Sequence, residues 1–373
     1  MPLVSNCFLR LGLAVGLGLL VPASGFPQTP APQASAPPAS TSPIPQSLSS
    51  PILTNSNPNP AASPATAPAD NAPGQEPGAQ PSITQDGPIQ DSGQDQGRFV
   101  FRKEVEEVVL HATVVDETGR LVTSLDKAAF SIYQNGKPEP ITSFRREDVP
   151  VAMGIVIDNS GSMRDKREKV NQAVMDLIRA GNPNDEIFVV NFSQTPYLDQ
   201  DFTSDSNLLQ AALHQVAMRG STALYDAVVA SSVHLQHNPR LDKKVLLVIT
   251  DGQDNMSRET LQEAMHRLQP GKGGVTVYAI GLTDQGFTRA GHDALQNLAS
   301  ATGGVAFFPE SLSDVNSIAS TVARDIRSQY ILAYKPGNPG NVYQNIRVEA
   351  RAPGQGRLTV RTRTGYYPGE TVR

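Results

Sequence analysis

Between residues 151 and 308 the chain alternates solid apolar runs with segments of helical periodicity. Val151, Ala152, Met153, Gly154, Ile155, Val156 and Ile157 form a near-continuous apolar run, the pattern of a strand covered on both faces in a parallel sheet. EIFVVNFS (186–193), KVLLVIT (244–250) and GVTVYAIGL (274–282) repeat it. Between these runs the pattern predicts helices over Lys166–Ala180, Asp205–Met218 and Thr222–His237, a helix capped by Ser257 that reaches Leu268, and a helix over Ala294–Ala301. An edge strand at Val305–Phe308 then precedes a final helix, capped by Ser311 or Ser313 and ending near Ser328. Strands alternating with helices over about 180 residues predict an α/β fold with a doubly wound, mainly parallel sheet.

The flanks of this region carry a different rhythm. Residues 105–119 alternate and then turn, and AFSIYQNGKPEPITSF (129–144) reads as two strands joined at Asn135 and Gly136, a strong hairpin signal. After the final helix, QYILAYKP (329–336), YQNIRVEA (343–350) and RLTVRTRTGYY (357–367) return to strand patterning with no helices to cover them. Neither set is large enough to bury a core of its own. Residues 98–148 and 329–373 are therefore expected to form one antiparallel β-sandwich, with an α/β domain over residues 149–328 inserted between its parts. Two separate flanking β units are the alternative.

Composition separates the N-terminus from all of this. Arg10 precedes an apolar stretch over residues 11–21, and Ala23, Ser24 and Gly25 supply a small-residue site. Residues 1–25 read as a secretory signal peptide, since the apolar stretch is too short for a comfortable membrane span. No transmembrane span is expected in the mature chain, and a secreted or periplasmic location follows, with cell-surface association left open. Cys7 lies before the apolar stretch, which argues against a lipoprotein anchor and leaves no thiol afterwards. Residues 26–97 are rich in Pro, Ala, Ser, Gln and Asn, with five acidic residues and no Lys or Arg, and they cannot bury a core. They read as a disordered linker, either a spacer or a tolerated tail. Residues 98–373 hold 30 basic and 31 acidic residues. No basic patch stands out, which removes nucleic acid as a partner class.

The chemistry concentrates where the first apolar run ends. Asp158, Ser160 and Ser162 alternate with Asn159 and Gly161, so one carboxylate and two hydroxyls can converge, the all-oxygen environment of a small divalent cation. Thr222 lies on a Gly-led turn before a helix, and Asp251 ends another buried run. Together DNSGS (158–162), GSTAL (220–224) and VLLVITDG (245–252) resemble the von Willebrand factor type A domain, also called the integrin I-type domain, and its metal-ion-dependent adhesion site. The resemblance implies a Rossmann-like sheet whose carboxyl end carries a Mg2+ (or Mn2+) ion held by Asp158, Ser160, Ser162, Thr222 and Asp251. It further implies a non-enzymatic protein that engages an acidic side chain of a protein partner through that ion. Integrin β chains, and secreted bacterial proteins related to A domains, show a similar insertion between β segments. Asp165 resembles an integrin β acid that binds a second cation, but Lys166 stands where those chains have another acid. The bland reading of Asp165 is a helix N-terminal carboxylate.

Other constellations are weaker. His234 and His237 lie three apart on a helix and lack a third ligand in register, so a solvated helix face is the better reading. Asp254 and Asn255 either rim the metal site or cap their turn. A strand-terminal Asp also marks phosphatases of the haloacid dehalogenase type, but those need a second carboxylate where Ser160 stands. A structural A domain that never uses its ion for partners remains a third reading.

Overall fold

The structure is a computed structural model that describes residues 54–55, 107–214, 220–238, 240–271, 273–282, 287–337 and 340–369. The expected signal peptide and all but two residues of the expected linker lie outside the described residues. In chain order the strands are β1 (Thr54–Asn55), β2 (Val108–Val115), β3 (Phe130–Gln134), β4 (Lys137–Glu139), β5 (Ile141–Arg145), β6 (Ala152–Asp158), β7 (Glu186–Phe192) and β8 (Pro196–Thr203). They continue with β9 (Lys244–Thr250), β10 (Val275–Gly281), β11 (Ala306–Phe307), β12 (Tyr330–Tyr334), β13 (Gln344–Ala350), β14 (Thr359–Arg361) and β15 (Gly365–Tyr366). The helices are α1 (Arg167–Arg179), α2 (Ser206–His214), α3 (Leu224–Gln236), α4 (Leu261–Leu268), α5 (Arg289–Thr302) and α6 (Val315–Arg327).

The apolar runs form a doubly wound sheet in the order β1-β8-β7-β6-β9-β10-β11. Every pairing is parallel except that of β7 with β8. Both faces are covered, which is why these strands lack alternation. Ile155 and Ile157 pack with α1, α2 and α6 on one face, while Val156 and Val248 pack with α3, α4 and α5 on the other. Gly154 belongs to β6 because a Cβ there would meet Leu246 Cδ2 at 2.6 Å and the Phe188 ring. From β6 the chain winds outward through β7 and β8, then returns to the other side of β6 with β9. The crevice at the carboxyl ends of β6 and β9 is thus the topological switch point, where open α/β sheets place their ligands.

The remaining strands form two four-stranded antiparallel sheets, β14-β2-β12-β5 and β15-β13-β3-β4. Each sheet draws strands from both sides of the α/β region. Tyr330 in β12 pairs with Ala112 in β2, and Ile346 in β13 pairs with Gln134 in β3. One core unites them, with Leu110, Ile132, Tyr330, Leu332, Tyr334 and Ile346 inside. Polar tips are satisfied within it. Tyr334 donates to Gln134 Oε1 at 2.7 Å, from one sheet to the other, while Tyr330 donates to the Val122 carbonyl and accepts from the Leu125 N–H. At the tip of the β3–β4 hairpin Asn135 and Gly136 take φ of 49° and 78°, the left-handed pair that a two-residue turn requires.

Several elements differ from their sequence expectation. β8 has no counterpart there, because PYLDQDFT mixes polar residues into an antiparallel strand that is only partly buried, with just the two residues of β1 beyond it. Ser257 does not cap α4: its N–H and hydroxyl donate to Asp254 and its hydroxyl accepts the Asp226 N–H in the first turn of α3, while Thr260 caps α4 in a reciprocal box with Glu263. The single strand expected over 357–367 is two short strands in different sheets, β14 and β15. The break lies at Arg363, a buried side chain that donates to the Pro270 and Val109 carbonyls.

Only two residues separate α6 from β12. At this junction Arg361 on β14 donates two bonds to Asp325 on α6, at 3.2 and 3.0 Å. Lys243 donates to the Ile326 carbonyl, and Arg327 bonds Asp148 at 2.9 Å and also Asp185.

Two outcomes follow from this arrangement. Deleting residues 329–373 removes β12 and β14, both neighbours of β2, and removes β13 from β3. Amide protection over residues 108–145 is expected to collapse while residues 151–308 keep theirs, and native-state hydrogen exchange reads the result. His111 on β2 is held low, to about 3, first by burial and then by the charges of Lys243, Arg363 and Arg145. The unfolded chain takes up a proton below about pH 6.5 that the folded chain refuses, so stability falls with pH between about 6.5 and 3. At pH 5 this amounts to about 2 kcal/mol. Melting of the His111→Gln variant is expected to lose less between pH 7 and 5 than the wild type does.

Candidate metal centre

Three loops at the switch point carry the candidate residues. β6 ends at Asp158, whose carboxylate is fully buried and turns back on its own loop to accept the Ser160 N–H at 2.8 Å. The Asn159 N–H reaches the Phe192 carbonyl at 2.6 Å, which ties the loop to the end of β7. Gly161–Met163 then form a single 3-10 turn that sinks Met163 into the core and leaves Ser162 outward. β9 ends at Thr250, whose hydroxyl donates to Asp158 Oδ2 at 2.5 Å and accepts the Gly252 N–H at 3.1 Å. These bonds set Asp251 across from the first loop. The third loop enters through Gly220, with φ of 94°. Its Thr222 is fixed by bonds in both directions with Asn255: the Thr222 N–H donates to Asn255 Oδ1 at 2.9 Å and the Asn255 N–H to the Thr222 carbonyl at 3.0 Å.

Side chains from all three loops gather round one cavity, of about 700 Å³, lined by Ser160, Ser162, Lys166, Thr222, Asp251 and Gly252 among others. Ser160 Oγ and Ser162 Oγ are 3.1 Å apart, and the Ser162 hydroxyl donates to Asp251 Oδ1 at 2.8 Å. A Cβ built on Gly252 would lie 3.3 Å from Thr222 Oγ1, so the small residue after Asp251 leaves room for the Thr222 hydroxyl. Asp158 lies out of the water, joined to this group through Ser160 and Thr250.

The electrostatics are those of a buried acid pair. Burial raises the Asp158 carboxyl above the ordinary range, the hydrogen bonds from Thr250 and Ser160 oppose this, and the charge of Asp251 adds to it. Two basic side chains offset the pair. Lys166 Nζ lies 2.7 Å from Asp251 Oδ2. Arg167, itself buried and lowered to about 10 by that burial, reaches the Asp158 carbonyl at 3.4 Å and Asn191 Oδ1 at 2.6 Å. The sequence pattern marks neither Arg167 nor Thr250, and marks Lys166 only as the residue standing in place of an acid.

The donor set fits a hard divalent cation. Ser160, Ser162, Thr222 and Asp251 bring oxygens to the cavity, the Asp158 carboxylate lies behind them, and the ammonium on Asp251 shows that a cation is stable against that carboxylate. Among the described residues no three His, Cys, Asp or Glu side chains gather as metal ligands, so any ion here relies on the hydroxyls. The rim residues have local tasks. Asp254 accepts the Tyr225 N–H at 3.1 Å and the Ser257 N–H, and Asn255 positions Thr222. Asp165 is exposed. His234 bonds Asp201 at 2.8 Å and stacks on Phe202, while His237 Nδ1 meets the Val233 carbonyl at 2.8 Å.

Comparison with known proteins agrees with this geometry at the level of the domain. Residues 153–253 match the von Willebrand factor type A domain. No curated protein matches the chain. Among solved structures the chain is similar to proximal thread matrix protein 1 from the mussel byssus, at 20% identity over 52% of this chain and 51% of that one, with a TM-score of 0.42. The chain thus spans about half the length of that protein, which has also been solved with a zinc-occupied MIDAS motif at 19% identity, covering 49% of this chain and 50% of that one, TM-score 0.40. It is also similar to a von Willebrand factor type A protein from Catenulispora acidiphila, at 14% identity over 72% of this chain and 76% of that one, TM-score 0.42. Residues 153–253, which hold the three loops at the switch point, are thus a von Willebrand factor type A domain.

Proposed function

We propose that this chain is a secreted or periplasmic, non-enzymatic binding protein that engages an acidic group of a protein partner through a divalent cation. The observation that carries the reading is the gathering of Ser160, Ser162, Thr222 and Asp251 on one cavity, with Asp158 bonded to the same loops. When bound, Mg2+ or Mn2+ supplies a Lewis-acidic position that a partner carboxylate can complete. Ser160, Ser162 and Thr222 offer hydroxyl oxygens to the ion, and Asp251 and Asp158 neutralise it, directly or through water. Thr250 and Arg167 hold Asp158 in place, and Asn255 holds Thr222. The secreted placement rests on the N-terminal sequence pattern, and the residue ranges proposed for the flanking sandwich rest on the strand patterning.

The phosphatase alternative finds little support. Its nucleophile would be Asp158, which is fully buried; of Asp251 and Asp254, which could imitate the distal acids of such enzymes, the first is held by Ser162 and Lys166 and the second by the start of α3 and Ser257.

Saturating Mg2+ or Mn2+ is expected to raise the melting temperature of the chain. At about 100 times the dissociation constant the stabilisation is about 2.7 kcal/mol. Asp158→Ala and Asp251→Ala should each abolish the shift, and a wild-type melting temperature that EDTA leaves unchanged would defeat the reading. A second measurement addresses the support beneath the site. Thr250→Val keeps the side-chain shape but removes the donor to a buried carboxylate, at a cost of about 1–3 kcal/mol. Added metal should recover part of that loss, which paired melts with and without Mn2+ would read.

A further inference from the structure

The ammonium of Lys166 is the one charged group at the cavity that the proposed ion does not need. It lies 2.7 Å from Asp251 Oδ2, with its side chain 11% exposed and that of Asp251 0% exposed. The other oxygen of Asp251 accepts the Ser162 hydroxyl at 2.8 Å. Both oxygens of this carboxylate therefore already have protein donors. The position is built rather than incidental, because the Lys166 N–H bonds the Met163 carbonyl at 3.0 Å and so anchors the lysine to the turn that carries Ser162.

We propose that Lys166 is a resident cation that weakens the site's hold on a metal ion alone and makes retention of the ion depend on an anionic ligand. This rests on the metal-site reading above. Charge decides here because the Lys166 and Asp251 side chains are largely out of the water. Asp158 and Asp251 bring two negative charges and Lys166 one positive, while the buried Arg167 is matched by Asp199 before Asp158. A divalent ion added to this set leaves one uncompensated positive charge, and uncompensated charge away from water is costly. The ion must also share Asp251 with the ammonium. A carboxylate from a partner restores neutrality. Ion and carboxylate then favour each other, and the coupling is reciprocal. With a neutral residue at 166, two acids and one divalent ion already balance, so the ion binds firmly and the anion adds little.

The test uses the full chain, with Mn2+ as the metal and acetate as the anionic probe, read by isothermal titration calorimetry. Lys166→Met, close in length and uncharged, is expected to bind Mn2+ at least about tenfold more tightly than the wild type. Lys166→Gln provides a second neutral side chain should the first fold poorly. Acetate is expected to tighten Mn2+ binding by the wild type several-fold and to leave the Lys166→Met affinity unchanged. Detectable binding only in the neutral variants also supports the proposal. Equal Mn2+ affinity in the wild type and both variants, lost in Asp251→Ala, overturns it while leaving the metal site intact. Absence of Mn2+ binding in the wild type and the variants alike overturns both readings.

Discussion

Everything at the switch point follows from putting Asp158 and Asp251 together at the ends of adjacent buried strands. The pairing of β6 with β9 brings Ile157 beside Ile249, and the next turns carry the two acids. Such a pair cannot be left bare. The fold answers with hydroxyl donors from Ser162 and Thr250, an N–H from Ser160, and the cations of Lys166 and Arg167. The loops are held mostly by what they must do for the acids. Met163 pins the Asp158 loop from beneath, Asn255 clamps the Thr222 loop, and Thr250 joins the Asp251 loop to the Asp158 loop.

Much of this was legible in the chain, for reasons that can be named. Strands sheathed on both faces write continuous apolar runs, so β6, β7, β9 and β10 read directly. The oxygen pattern around Asp158 read as chemistry because its members are few residues apart. β8 was invisible because a partly buried strand beside the sheet's edge needs no continuous apolar pattern. The start of α4 was misplaced because Ser257 and Thr260 are both competent caps, and only the presence of Glu263 three residues on decides between them. Lys166 and Thr250 were missed for another reason. Their partners lie 85 and 92 residues away, and no local pattern encodes a contact across such a span.

The α/β region and the antiparallel sheets meet through side chains of unusual cost. Arg363 is buried against backbone carbonyls, and Lys243, lowered to about 8 chiefly by burial, bonds the end of α6. Arg361 holds Asp325 with two bonds from the other side. Buried charges of this kind contribute little net stability but penalise misplacement strongly. They define one seating of α6 against β12 and β14 rather than a greasy, slidable one.

The antiparallel sheets also impose an order of events on the chain. β2 to β5 are made before β6 to β11 and α1 to α6, yet the strands that flank them, β12 to β14, follow those elements. Loop-closure entropy disfavours joining ends so far apart until the intervening chain is compact. The inserted region, whose neighbouring strands are mostly close in sequence, can condense first and bring Asp148 and Gln329 to one side. During synthesis at about 5–20 residues per second, the early strands spend about ten seconds or more with unpaired edges. The charges they carry are then protective: Lys137, Glu139 and Arg145 stand on the short strands β4 and β5, where a sheet waiting for its partners is most exposed to the wrong ones.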